Sequence, residues 1–307
     1  MPTINTLGVT SARAYGFGVS SGGGFGTLAI FGIGSPSPAS TSLTNKYVFS
    51  SAVVTSGTNF VNQVVEGSAA GTGFNGIFLS GSYSTGNKYN YASDACVSVT
   101  GANMRGGSAA GNKTVGIFTA GFASVSPYAD PSGYGFYVSG ARYKYTYSSD
   151  SIATATTSSN YGSYGSAAGV LAFGIFQIGA YDLWNGVNTT TREKYTYSSD
   201  VITPATSATA SNYQSYATGN STVGIFLNDG GSANKYSYSS DSNVANPPIT
   251  GANGAAAGND FVGIFQGGSA GINYTYTYAS SSTTSATAIA YGYLKTGASN
   301  GTTGVNI

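Results

Sequence analysis

The side chains best suited to recognising a ligand fall in two stretches and two short motifs. Tyr128, Asp130, Tyr134 and Tyr137 lie in the first stretch, and Tyr181, Asp182, Trp184 and Asn185 in the second. The motifs Asn160-Tyr161-Gly162-Ser163-Tyr164 and Asn212-Tyr213-Gln214-Ser215-Tyr216 add Tyr161, Tyr164, Tyr213 and Tyr216. Flat aromatic rings beside carboxylates and amides suit stacking on sugar rings with hydrogen bonds to their hydroxyls. They equally suit a protein interface, where Tyr and Trp are enriched. A third reading is that long loops fold their own aromatics down as local cores.

Catalytic chemistry is poorly provided for. The chain holds no His, which removes Ser-His and Cys-His nucleophile pairs and imidazole metal sites. Asp130 and Asp182 form the one attractive carboxylate pair, and a glycosidase needs two acids about 5 to 9.5 Å apart. Gly-rich runs such as Ser21-Gly22-Gly23-Gly24 lack the Lys and helix of a phosphate loop, and no calcium motif appears. The expectation is a protein that binds or builds, with no catalytic residue, cofactor or metal.

A net charge of +1 with 7% charged residues gives no basic stripe for phosphates, so nucleic acid is not an expected partner. Cys96 stands alone and cannot close an internal disulfide. Residues 1–18 show neither the basic nor the apolar region of a secretory signal, and no run approaches the roughly 20 apolar residues of a membrane span.

These residues must be carried by a repeat. Gly-Ile-Phe recurs at Gly76-Ile77-Phe78, Gly116-Ile117-Phe118, Gly174-Ile175-Phe176, Gly224-Ile225-Phe226 and Gly263-Ile264-Phe265, with a degenerate copy at Ala29-Ile30-Phe31. A partner element, Lys-Tyr-x-Tyr in its fullest form, starts at Lys46, Lys88, Lys144, Lys194 and Lys235, and a sixth version at Thr275 has lost its Lys. Partner elements follow one another at steps of about 40 to 56 residues, bracketing the roughly 40–50 of propeller blades. Each unit divides into four short strands: a small inner one such as Ser108-Ala109-Ala110-Gly111, the Gly-Ile-Phe strand, the Lys-Tyr-x-Tyr strand, and a Thr/Ala/Val-rich one. The class is all-β, a propeller of four-stranded antiparallel blades.

A period of two puts Tyr145 and Tyr147 on one face of their strand, where they would fill the space between blades. Asp94, Asp150, Asp200 and Asp241 follow Ser-Ser or Ala-Ser, where a short carboxylate can bond a turn backbone. The recurrent Lys and Asp are therefore scaffold. Residues 7–13 read as an outer strand and residues 296–305 as an inner pair. Together they would make a composite seventh blade closing one domain over 1–307, so seven blades are expected, with six as the alternative. What breaks the repeat are the insertions at 119–141 and 177–193, both on one propeller face.

Ile-Phe, Gly-Gly turns at Gly230-Gly231 and Gly267-Gly268 and paired Tyr resemble the kelch repeat, although the later Trp of kelch is missing from every unit. The run from Ala109 to Phe118, Ala-Ala-Gly-Asn-Lys-Thr-Val-Gly-Ile-Phe, followed by Lys144-Tyr-Thr-Tyr-Ser-Ser-Asp150, is similar to kelch-like repeat proteins of tailed bacteriophages. That resemblance implies a virion protein on a tail, fibre or capsid surface. It further implies other virion proteins as partners, a multi-copy assembly made in the host cytoplasm, and a role in assembly or host recognition, with a host cell-surface glycan as the alternative ligand. It carries over no catalytic residue.

Overall fold

The structure is a computed structural model. It describes residues 27–32, 42–64, 67–79, 84–104, 106–124, 136–179, 189–210, 215–228, 233–244, 247, 249, 254–267, 273–287 and 296–299. The first strands among the described residues are β1 (Leu28–Gly32), β2 (Thr44–Val48) and β3 (Val53–Ser56), followed by β4 (Ser68–Gly71), β5 (Asn75–Leu79), β6 (Thr85–Asn90) and β7 (Ala95–Thr100). Next come β8 (Ala109–Gly111), β9 (Val115–Thr119), β10 (Phe122–Ser124), β11 (Phe136–Val138), β12 (Arg142–Thr146) and β13 (Ser151–Ala155). They are followed by β14 (Ser166–Gly169), β15 (Phe173–Gln177), β16 (Arg192–Thr196) and β17 (Val201–Ala205), then β18 (Tyr216–Gly219), β19 (Val223–Leu227), β20 (Ala233–Ser237) and β21 (Ser242–Val244). The last strands among the described residues are β22 (Gly254–Gly258), β23 (Val262–Gly267), β24 (Asn273–Thr277), β25 (Ser282–Ser285) and β26 (Thr296–Ser299).

These strands form six four-stranded antiparallel sheets and one two-stranded ribbon, β10–β11. The inner strands β26, β4, β8, β14, β18 and β22 touch one another in a closed circle, which makes the sheets the blades of a six-bladed propeller. The expected seventh blade does not form. Instead β26 pairs with β1, Ile30 opposite Ala298, and supplies the inner strand that the first unit lacks, so blade 1 joins both ends of the described chain. The reason is that each blade needs an Ile-Phe strand and a paired-Tyr strand, and the C-terminal segment has neither. Residues 7–13, expected as an outer strand, lie outside the described residues.

The Ile-Phe pair holds each blade to both of its neighbours. Successive side chains of a strand face opposite sides. In blade 4, Phe176 and Ala167 therefore pack with Ile117 and Ala110 of blade 3, while Ile175 and Ala168 pack with Phe226 and Ala217 of blade 5. Each of these Ile and Phe side chains, fully buried, contributes roughly 1.5–3 kcal/mol. The paired tyrosines fill the space between blades, as expected, and stand on the Phe side, with Tyr195 and Tyr197 between blades 3 and 4.

The glycines before Ile answer to the second tyrosine of each pair. A Cβ on Gly224 would meet the Tyr238 hydroxyl at 2.8 Å, and one on Gly116, Gly174 or Gly263 would meet the Tyr147, Tyr197 or Tyr278 hydroxyl at the same distance. Blade 1 is the exception that explains the rule. Ala29 opposite Tyr47 corresponds to Gly76 opposite Tyr89, and two residues on, Tyr91 is replaced by Phe49, which has no hydroxyl.

The Ser-Ser-Asp turns between the third and fourth strands lie on the face away from the insertions. Asp94, Asp150, Asp200 and Asp241 adopt φ of 53, 49, 56 and 47°, left-handed conformations that Asp tolerates better than most residues. Their carboxylates are not confined to their own turns. Each accepts the hydroxyl of the first tyrosine of its own blade, Tyr89, Tyr145, Tyr195 or Tyr236. Three of them take a lysine of the preceding blade, in Lys46–Asp94 at 2.9 Å, Lys88–Asp150 at 2.8 Å and Lys144–Asp200 at 3.5 Å. At the junction of blades 5 and 6 Lys235 meets Ser281 instead of an acid, and between blades 6 and 1 Thr287 donates to the Ala52 carbonyl.

This arrangement sets the pH profile. Burial pushes the Tyr145, Tyr195 and Tyr236 hydroxyls up, and their bonds to Asp150, Asp200 and Asp241 push them further. Burial alone would raise Asp200 and Asp241, but hydrogen bonds from Tyr195 and Tyr236 and from the Thr156 and Thr206 amides, with the Lys144 and Lys194 charges, hold both below the ordinary carboxylate value. A raised tyrosine stabilises the fold below its unfolded pKa and loses that contribution as pH rises through the folded value. A lowered aspartate stabilises it above its unfolded pKa and loses that contribution as pH falls. With no His to titrate between, the melting temperature should be flat from roughly pH 5 to 9, then fall above about pH 10 and, more gently, below about pH 4. Melting followed by circular dichroism across pH checks this, and a transition near pH 6 to 7 would contradict it.

Candidate functional site

The connections from second to third strand, and those from blade to blade, emerge at the rim where the inner strands begin. In blade 3 that connection leaves the sheet as an arm. Ala120 N–H donates to the Ala141 carbonyl, Gly121 turns at φ 42°, and β10 pairs with β11 so that Ala123 lies opposite Tyr137. The first insertion thus begins as a β-ribbon continuing blade 3. In blade 4, Ile178 N–H donates to the Thr191 carbonyl at 3.0 Å, and this pair closes the base of the second insertion.

Tyr128, Asp130, Tyr134, Tyr181, Asp182, Trp184, Asn185 and Tyr213 lie outside the described residues. The other candidates take different roles. Tyr161 is 49% exposed, on the connection from blade 3 to blade 4. Tyr164 acts through its backbone: at φ 55° its N–H donates to the Gly106 carbonyl at 2.6 Å, and its carbonyl accepts from Ser215 N–H at 2.9 Å. It thereby ties three successive inter-blade connections together. Tyr216 is a core residue, buried on β18 with its ring 6.0 Å from that of Phe265.

Among the described residues, two concavities on this face stand out. One lies on the axis, a recess of about 80 Å³ lined by small residues at the starts of the inner strands, among them Ser68, Ser108, Ser166 and Ser215. Tyr216 contributes to its wall. The other is a groove of about 220 Å³ at the junction of blades 3 and 4, lined by Ser159, Asn160, Tyr161, Ile178, Thr189 and Thr191.

Beneath the groove lies a buried ion pair that reading the sequence missed. Arg142 donates from Nη2 to Glu193 Oε2 at 2.5 Å, with the two side chains 1% and 4% exposed. The other carboxylate oxygen, Oε1, accepts from Ser158 Oγ at 2.6 Å and from Asn160 Nδ2. Arg142 also stands over the Phe176 ring. One blade on, Arg192 donates from Nε to Gln177 at 2.8 Å and from Nη1 to Asn243, and lies 4.5 Å from the Phe226 ring centre. Burial lowers its pKa to about 10, against the opposing influence of Tyr236 and Tyr238. Arg142 and Arg192 occupy the register position held by Gly86 and Ala233 in blades 2 and 5, and Glu193 that held by Asn87 and Asn234. These departures inside an otherwise regular strand fall in the two blades with enlarged loops, and they were the available signal.

Among the described residues no three His, Cys, Asp or Glu come together as a metal site, and no helix is long and apolar enough to cross a membrane. No protein-family model matches the chain, and no curated protein sequence matches it. Among solved structures, the chain is similar to that of YjhT, with 8% identity and a TM-score of 0.59 over 74% of this chain and 84% of that one. It is also similar to TolB from Acinetobacter baumannii, with 10% identity and a TM-score of 0.57 over 95% of this chain and 71% of that one. At such identities the likeness concerns the fold alone.

Proposed function

We propose that this chain is a non-enzymatic structural protein of a tailed-phage particle, on a tail, fibre or capsid surface, which docks another protein of the particle through the face carried by blades 3 and 4. One observation carries the docking reading. Ser139 and Gly140 at the base of the blade 3 arm line one small cavity with Asn160 and with Ile178 at the base of the second insertion, so the bases of the chain's two breaks from its repeat are neighbours on one face. The similarity of the repeat to kelch-like phage proteins supplies the setting. Among the described residues, the non-enzymatic reading is supported by the commitments of Glu193, engaged by Arg142, Ser158 and Asn160, and of the turn aspartates, engaged by tyrosines and lysines.

Mass spectrometry of purified particles, with cross-linking, tests the setting, and absence of the chain from them would sink it. Replacing residues 122–138 by a two-residue turn tests the face. Because the Ala120–Ala141 pair already closes the blade, stability should change by no more than about 1 kcal/mol while docking to the particle partner is lost.

A further inference from the structure

In blades 2 to 6 the turn from the first strand to the second lies close to the axis, on the face away from the insertions. These turns alternate in kind around the ring. Even blades present large apolar side chains: Phe74 in blade 2, Leu171 in blade 4 and Phe261 in blade 6 are 54, 51 and 75% exposed. Odd blades present small polar ones, Thr114 in blade 3 and Ser221 with Thr222 in blade 5. In blade 1 the corresponding strands are β26 and β1, which no turn joins, because they lie some 260 residues apart in the chain. Large apolar side chains gathered around one axis on the surface mark a place where another molecule docks.

Further from the axis stand the Ser-Ser-Asp turns, so the apolar centre has a polar rim, which is the anatomy of a protein interface. The five inner turns hold two charged residues, Lys113 in blade 3 and Asp260 in blade 6, each the middle residue of its turn. Blades 3 and 6 stand opposite each other in the ring of six. When two copies of a ring meet face to face about a twofold axis, one runs clockwise and the other anticlockwise, so facing blades have numbers of constant sum. Placing Lys113 of one copy on Asp260 of the other sets blade 3 on 6, and with it blade 4 on 5 and blade 2 on 1. Both charge pairs then form together. The same setting lays every even blade on an odd one: Phe261 falls on the small turn of blade 3, Leu171 on that of blade 5, and Phe74 beside the open joint of β26 and β1. The apolar projections of each copy meet small or open positions of the other, and the charges select this setting from the three that pair even blades with odd.

We propose that the face away from the insertions docks a second copy of this chain, as a twofold dimer in which Lys113 of each copy meets Asp260 of the other and the apolar turns of blades 2, 4 and 6 fit between those of the partner. The dimer leaves both insertion faces pointing outward, so it carries two of them, and it stands independently of what those faces bind.

Sedimentation equilibrium of the full chain from about 1 to 100 μM should show monomer and dimer and nothing larger. Phe261→Ser and Leu171→Ser, which change exposed side chains, should each weaken the dimer at least about tenfold. The melting temperature of the monomer, taken at high dilution, should not move. Charge reversal tests the register. A dimer of Lys113→Glu sets two pairs of acids together and a dimer of Asp260→Lys two pairs of lysines, so each variant alone should associate about tenfold more weakly. An equimolar mixture of the two should recover the parent affinity, because the mixed dimer again has two pairs of opposite charge. Should Asp260→Lys fail to fold, zero-length carbodiimide coupling of the parent chain decides. Lys113 and Asp260 stand across the ring from each other in one copy, so a Lys113–Asp260 cross-link in the dimer reports the second copy. A chain that stays monomeric at 100 μM, assembly beyond the dimer, indifference to Phe261→Ser, a mixture no stronger than its components, or a dimer without that cross-link overturns the proposal.

Discussion

Glu193→Gln is expected to destabilise the propeller by about 3–5 kcal/mol, the range seen when one partner of a buried ion pair is removed. The substitution keeps the shape, and an amide oxygen can still accept from Ser158 and Asn160. What it removes is the negative charge facing Arg142, in a place where two other guanidinium nitrogens already lack acceptors. For a chain of this length the loss should lower the melting temperature by roughly 10 °C, at some 2–4 °C per kcal/mol. The double variant Arg142→Met/Glu193→Gln should regain most of the difference, because a buried pair replaced by groups of similar volume is often neutral. Urea unfolding of the three proteins gives the comparison. A single-variant cost under about 1 kcal/mol would mean that the pair is solvated and that Arg142 does not hold a buried charge.

That pair also shows where reading the sequence stops. The strands were legible because their periodicity is local: Gly-Ile-Phe and Lys-Tyr-x-Tyr each declare a strand within a few residues, and repetition declares the blade. Blade number depended on the partner of the last strand, which is β1, more than 260 residues back in the chain, and no local pattern carries that pairing. Arg142 and Glu193 are 51 residues apart and meet only because adjacent blades bring the starts of their third strands together. Tyr161 and Tyr216 occupy equivalent-looking motifs, yet one is exposed and the other packs against Phe265, since Tyr216 begins an inner strand and Tyr161 lies on a connection. For the turn aspartates the sequence pointed to their own turns, whereas their carboxylates bond a tyrosine of their own blade and, in three cases, a lysine of the preceding one.

The glycine of Gly-Ile-Phe has a role that composition alone obscures, and blade 1 suggests how to expose it. Gly224→Ala should cost about 1–3 kcal/mol, the usual range for overpacking a filled core. Its Cβ would lie 2.8 Å from the Tyr238 hydroxyl and 2.9 Å from Phe226 Cε2, with Ala168 of the neighbouring blade at 3.3 Å. Blade 1 already carries Ala29 at this position and Phe49 in place of the second tyrosine, so Phe31 and its surroundings tolerate the methyl group once the hydroxyl is gone. Tyr238→Phe alone should be close to neutral, because that hydroxyl is buried without a hydrogen-bond partner and its removal strands no other group. The double variant Gly224→Ala/Tyr238→Phe should therefore recover more than half of the loss, giving a coupling of about 1 kcal/mol or more between residues in direct contact. Thermal unfolding of the four proteins closes the cycle. Simple additivity would show that the glycine is required by the neighbouring backbone and not by the tyrosine, and that blade 1 tolerates Ala29 for some reason other than Phe49.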